Sequence, residues 1–176
     1  MRFFHRLGFG IQSPWAYDLV TNVLFAHSHY YAFDSLKHRY PRHAKAGEQL
    51  FRLTNLLKPS AVAIIGNSGT TQAEAFRSYL QATSKSLQID FAAATPSQIF
   101  DMLLILDPQQ FNFSEWASSK AMTESTCIVM EDISKSGKAL WQAILQHHMV
   151  TATFDIGSHR GIAFFDQKKT KMNYKV

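Results

Sequence analysis

The pattern of apolar and polar positions changes period near Lys58-Pro59-Ser60. Before that point it is helical. Ser13-Pro14 predicts a helix start, with Ser13 capping and Pro14 in the first helical position, where its missing N–H costs nothing. Trp15, Leu19 and Val23, flanked by Val20 and Leu24, then form an apolar stripe through Phe25. A second helix is expected over Gly47–Leu57, with Leu50, Phe51, Leu53, Thr54 and Leu57 inward and Arg52 outward. From Ala61 onward short apolar runs alternate with segments of helical spacing. The runs predict strands at Ala61–Ile65, Leu87–Ala92, Met102–Leu106 and Thr126–Met130, and the spaced segments predict helices at Thr71–Gln81, Phe113–Thr123 and Gly137–His147. Such alternation is what βαβ units on a doubly wound, mostly parallel sheet produce. Leu103-Leu104-Ile105-Leu106 has no polar alternation, as expected of a central strand covered on both faces. The end differs: Val150–Ile156 alternates strictly, Gly157–Gly161 turns, and Ile162–Phe165 returns, which predicts an antiparallel C-terminal hairpin. The expected organisation is a helical extension over residues 1–58 packed on an α/β core over 59–176, one compact domain in all.

Composition agrees. With 176 residues, 46% hydrophobic and 18% charged, the chain suits a single soluble globule, and no apolar run approaches the ~20 residues of a membrane span. Met1–Arg6 begins like a signal peptide, but Gly8, Gly10, Gln12 and Ser13 interrupt any apolar stretch. The single cysteine, Cys127, permits no internal disulfide and fits a reducing, cytoplasmic setting; inside an apolar strand it reads as a small core residue rather than a nucleophile. Charge is uneven: eight Lys/Arg against three acids up to Lys58, six against ten in the middle, and four lysines with no acid from Lys168. The basic front reads as a solvated face in preference to a nucleic-acid footprint. Phe3, Phe4 and Phe9 are expected to pack the N-terminal arm on the domain. The histidine pairs His27/His29 and His147/His148 lack metal-ligand spacing, and the second sits where a helix C-terminus favours it.

Two stretches carry a family resemblance. Arg6-Leu7-Gly8-Phe9-Gly10-Ile11-Gln12-Ser13-Pro14-Trp15, continuing to Leu19-Val20, is similar to the HGFGxxSPFxxxLV opening of a bacterial group of class I S-adenosylmethionine-dependent methyltransferase-like proteins. Cys127–Ile133, Trp141, Val150–Ile156 and Gly161–Phe165 resemble the C-terminal part of the same group. The resemblance implies a Rossmann-like doubly wound fold, S-adenosylmethionine as cofactor and a small-molecule substrate.

It also directs attention to particular residues. In this family a glycine loop after the first strand lets backbone approach the cofactor. Here the stretch is Ile64-Ile65-Gly66-Asn67-Ser68-Gly69, so Gly66, Asn67, Ser68 and Gly69 are the candidate cofactor-binding residues. The glycines stand one residue closer than in the family pattern, Ile64 occupies the place of its acid, and Gly-Asn-Ser-Gly also suits a plain turn with Ser68 or Thr70 capping the next helix. The second strand should end in a carboxylate for the ribose; this one ends in alanines, with Asp90 inside it. The segment before Asp101 is too short for the usual strand, helix and strand. Asp107 and Glu131-Asp132 do follow strand ends directly and would meet Gly66 at one rim. Asp107 is therefore a candidate for cofactor contact and, with Asp132, for general-base chemistry or cation ligation. Both also have structural uses: Asp107-Pro108 starts turns well, and Asp132 with Ser134 can cap.

Three functions stay open at this stage: a methyltransferase-like protein with an eroded cofactor site, weakly active or silent; an active O-methyltransferase using the strand-end carboxylates; and a nucleic-acid-associated protein. A second copy of the chain is left open as a partner, and no membrane partner is expected.

Overall fold

The computed structural model describes residues 10–91, 98–119, 121–169 and 171–176. Phe3, Phe4, Phe9, the Arg6–Phe9 part of the opening motif and the alanines after Phe91 lie outside the described residues. The chain divides into two units. One is helical, built from the residues up to Lys58 with Ser68–Leu87; the other holds the sheet, built from Pro59–Asn67 with Gln88–Val176.

In the helical unit, Ser13 Oγ accepts from the N–H of Ala16 and starts α1 (Pro14–Asp18). The stripe then continues over Leu19–Leu24 as a π-helical turn, with Phe25 N–H bonded to the carbonyl of Val20. Leu19, Val20, Val23 and Leu24 are buried, as the spacing predicted. Helix α2 (Phe33–Arg39) was not anticipated, because Asp34, Lys37, His38 and Arg39 leave only Phe33 as a buried anchor. A 3₁₀ turn at Pro41–His43 leads into α3 (Ala44–Leu57), which begins three residues earlier than expected. Gly47 lies inside that helix rather than starting it, and only glycine fits there, since the Tyr79 ring sits 2.2 Å from where a Cβ would be. Helix α4 (Thr71–Gln81) is capped by Thr70 Oγ1, which accepts from Ala73 N–H at 3.1 Å. Phe33, Phe51 and Tyr79 form the aromatic cluster between these helices.

Arg52 corrects the sequence reading. It was expected outward; it is 8% exposed, paired with Glu48 one turn earlier and lying 5.2 Å from the Phe33 ring centroid. Its charge and its long stem are both accommodated, which a periodicity argument cannot foresee.

The sheet unit contains β1 (Ala61–Ile65), β2 (Gln88–Phe91), β3 (Met102–Ile105), β4 (Cys127–Met130), β5 (Ala152–Ile156), β6 (Arg160–Phe164) and β7 (Met172–Lys175). Their spatial order is β2-β1-β3-β4-β6-β5-β7, and only β6 runs antiparallel to its neighbours. β3 is central and every residue in it is buried. On one face Ala63, Leu103, Ile128 and Ala163 stand in register across four strands. They share a core with Trp116 of α5 (Phe113–Ser118) and with Trp141 and Ile144 of α6 (Lys138–Gln146). Residues of the opposite face, including Val62, Ile64, Leu104, Val129 and Ile162, are buried as well. Cys127 is among them, a free buried thiol that burial pushes to high pKa, as suits a core residue.

Two further features differ from expectation. α5 stops at Ser118 rather than Thr123, because the Ser119 hydroxyl bonds back to the Trp116 carbonyl and accepts from Ala121 N–H. The hairpin is also not the last element. β7 adds parallel to β5, with Tyr174 stacked on Phe154 at 4.8 Å and the terminal Val176 buried. Met172, Tyr174 and Val176 alternate with Asn173 and Lys175, but the run is too short to announce a strand; the pairing rests on backbone bonds, the aromatic stack and a 2.8 Å bond from the Thr153 hydroxyl to Asn173 Oδ1. Among the described residues no helix is long and apolar enough to cross a membrane.

Candidate functional site

The strand order fixes where a ligand crevice belongs. From β1 the chain runs outward to β2 and then crosses to β3 on the other side, so the direction of winding reverses between β1 and β3. Ligands of such sheets bind beyond the carboxyl ends of the strands at that reversal. Gly66 follows β1 and Asp107 follows β3, and the two are neighbours: the N–H groups of Leu106 and Asp107 both reach the Ile65 carbonyl, at 2.9 and 3.2 Å. Glu131 follows β4 and donates its N–H to the Ile105 carbonyl. The structure thus brings Gly66, Asp107, Glu131 and Asp132 to one end of one sheet.

Gly66 adopts φ +149°, and a Cβ there would stand 3.0 Å from Leu106 Cβ and 3.4 Å from the Asp107 nitrogen. Glycine is required by conformation and by close packing together. Asn67, Ser68 and Gly69 are exposed. Gly69 has no positive φ, so its conformation is open to other residues, and Asn67 ends the sheet unit while Ser68 and Gly69 lead into the helical one.

The carboxylates are occupied locally. Asp107 Oδ1 accepts from Gln109 N–H at 3.0 Å and Oδ2 from Gln110 Nε2 at 2.9 Å, closing the 3₁₀ turn Pro108–Gln110 that the Asp-Pro pair predicts. Glu131 forms a 2.5 Å ion pair with Arg160 Nη2, both side chains nearly enclosed, at angles outside those of a hydrogen bond. Asp132 accepts from the N–H groups of Ser134, Lys135 and Ser136 and from the Ser136 hydroxyl at 2.7 Å. It caps this loop, whereas α6 has Gly137 at its N-cap position and no side-chain cap. Gly137 is needed there because a Cβ would fall 1.8 Å from the Asp132 carbonyl oxygen.

Desolvation would raise the Asp132 carboxyl, but the Ser136 hydroxyl and the N–H groups of Lys135, Ser134 and Ser136 outweigh it and hold it at about 2. A group so acidic is a poor proton acceptor near neutrality. Its folded value lies below the ordinary one near 3.8, so it stabilises the fold above about pH 4, and that contribution disappears as pH falls towards 2. Thermal unfolding followed between pH 5 and 2 should therefore show a smaller acid-induced loss in Asp132→Asn than in the wild type; identical pH profiles would contradict the assignment.

Elsewhere in the sheet unit, burial raises the Asp155 carboxyl, against a 2.9 Å bond from Trp141 Nε1 and the charge of Lys175. Asp90 accepts from Gln88 and Gln98 within the β2 edge. Among the described residues no group of three or more His, Cys, Asp or Glu could hold a metal ion. Sequence reasoning missed Arg160, read as part of a turn. Nothing in the residues around it pairs it with Glu131.

No family model and no curated protein matches the chain in sequence. The fold, however, is found among solved methyltransferases. The structure is similar to the S-adenosylhomocysteine-bound methyltransferase PaMTH1 of Podospora anserina, with TM-score 0.51 and 9% identity over 87% of this chain and 96% of that one. A methyltransferase from Geobacter sulfurreducens gives TM-score 0.49 and 11% identity over 76% and 86% of the two chains. The O-methyltransferase TomG of Streptomyces achromogenes, solved with S-adenosylmethionine and involved in tomaymycin synthesis, gives 0.48 and 14% over 78% and 91%. At 9% identity the first of these demonstrates a shared fold.

Proposed function

We propose that this chain is an S-adenosylmethionine-dependent methyltransferase-like protein whose cofactor site has eroded, leaving it weakly active or non-catalytic towards a small-molecule substrate. The observation that carries the reading is the pairing of Gly66 and Asp107 beside the β1/β3 reversal, the place where this architecture receives a ligand.

The residues present fit the cofactor poorly. The space a Gly66 Cβ would fill is bordered by the protein's own Leu106 and Asp107. Both Asp107 oxygens serve the turn that follows, and Ile64 is a wholly buried apolar side chain where the family resemblance calls for an acid. After Phe91 the sequence continues Ala92-Ala93-Ala94-Thr95-Pro96-Ser97, with no carboxylate for a ribose. Charged hydrogen bonds of that kind contribute about 1.5–3 kcal/mol each. Losing two from a micromolar site leaves a dissociation constant of about 1 mM. Calorimetric titration with S-adenosylhomocysteine should accordingly show binding no tighter than about 1 mM. Micromolar affinity would instead support the active O-methyltransferase with Asp107 at its cofactor.

A further inference from the structure

Folding sorts the charge between the two units. The described residues of the helical unit, 10–58 and 68–87, carry eight Lys/Arg against four acids, whereas the sheet unit carries eight against nine. Within the helical unit the excess is concentrated further. Lys37 and Arg39 lie in the last turn of α2, Arg42 stands in the 3₁₀ turn and Lys45 lies in the first turn of α3, with no acid between them. All four are exposed. Arg39, Arg42 and Lys45 form no ion pair among the described residues, and Lys37, which meets Glu48 at 2.9 Å, keeps half of its side chain in solvent. The other carboxylates of this front are answered locally: Asp18 accepts from Asn22 Nδ2 at 2.6 Å, and Asp34 faces His29 at 3.2 Å.

A half-open groove of about 670 Å³ adjoins these cations, with Lys37 and Lys45 among its lining residues. Tyr17, Phe25, His27 and His29 line it too, four flat rings from α1 and the stretch that follows the π-helical turn. Tyr17 is 46% exposed, and Tyr31, two residues past His29, is fully exposed. The enclosed charges of the groove, Glu48 and Arg52, are paired with each other at 3.3 Å. Its interior therefore suits an uncharged ring and leaves anionic groups to the cations outside. Cations without counter-ions beside exposed aromatic rings are the means by which proteins hold single strands: phosphates follow the charge and bases stack on the rings. The basic front was visible in sequence; that its cations and rings border one groove was not.

We propose that this face of the helical unit binds single-stranded nucleic acid, with phosphates along Lys37, Arg39, Arg42 and Lys45 and a base in the groove against Tyr17 and Phe25. The surface lies wholly within the helical unit, requires no S-adenosylmethionine, and stands or falls independently of the cofactor reading. A duplex is the poorer ligand, because its bases are already stacked on one another and cannot enter the groove.

The test is fluorescence anisotropy of the full chain with fluorescein-labelled oligouridylate and oligothymidylate strands of about 15 nucleotides. At about 50 mM salt at least one strand should bind with a dissociation constant of about 10 μM. Log affinity should fall against log salt with a slope of about −3, since each of four phosphate contacts contributes about −0.7 on a single strand. The tighter of the two strands identifies the sugar. A duplex of the same length and inorganic polyphosphate, which bring charge without free bases, should each bind at least about fivefold more weakly. Arg42 and Lys45 are exposed, so the double variant Arg42→Gln with Lys45→Gln should fold, bind about tenfold more weakly and show a slope of about −1.5. Tyr17→Ala should weaken binding about fivefold with the slope unchanged, because it removes a stacking surface and no charge. The proposal is overturned if neither strand binds at about 100 μM protein. It is equally overturned if duplex or polyphosphate binds as tightly as the strands, if phosphatidylglycerol vesicles are bound in preference to them, or if the folded double variant binds like the wild type.

Discussion

Replacing Trp116 by alanine should destabilise the protein by about 3–5 kcal/mol, a large part of the ~5–15 kcal/mol that holds a typical domain together. Trp116 is wholly buried although its helix, α5, is only six residues long. Short helices contribute little by themselves, so α5 is held by what its ring packs against. Phe111 lies 5.5 Å away and Phe100 6.0 Å, centroid to centroid, and both belong to the core under β1, β3 and β4. Removing the indole leaves a cavity beneath the strands that carry Gly66 and Asp107. Denaturant unfolding should show a lower midpoint with an unchanged slope. A loss below about 1 kcal/mol would mean that the ring is not enclosed as described.

A comparable loss is expected from Arg160→Met, about 3–5 kcal/mol, because it leaves the Glu131 carboxylate enclosed without its counter-charge. The pair ties the end of β4 to the start of β6, next to the Met130–Gly161 step of their antiparallel ladder. Gly161 itself has no room for a side chain, since the Trp141 ring lies 2.6 Å from where its Cβ would be. Arg160 is itself buried, and a methionine can fill its space but not answer its charge. The double variant Glu131→Leu with Arg160→Met removes both charges and should recover much of the stability, since buried pairs are often no better than apolar replacements. If the double variant instead loses the sum of the two single losses, Glu131 and Arg160 act independently and the tether is wrong. Recovery would identify Glu131 as a structural member of the rim.

Alternation and local caps made much of the architecture legible. Val62–Ile65, Leu103–Ile105 and Ile128–Met130 are buried on both faces, and continuous apolar runs of that kind have few homes other than a parallel sheet. Ser13, Thr70 and Asp107 act where sequence places them, since a capping bond spans only two or three residues.

What the sequence alone determined is the set of relations settled within a few residues or by a repeating period: which segments form strands, where several elements start, and that Gly66 and the strand-end carboxylates meet at one rim once the strands are parallel. Only the tertiary structure decided the relations between distant segments. Gly47 could be read as a helix start because the Tyr79 ring that excludes any side chain at that point of α3 comes 32 positions later. Arg52 looked like a solvent residue because Glu48, Phe33 and the Ser28 carbonyl surround it only after folding. β7 alternates over too few residues to stand out, and the Phe154 ring and Thr153 hydroxyl that hold it lie 20 positions earlier in the chain. The roles of Glu131 and Arg160 were hidden for the same reason: two opposite charges 29 positions apart become a buried pair only when antiparallel strands bring them together, and neither residue's neighbours in sequence record that contact.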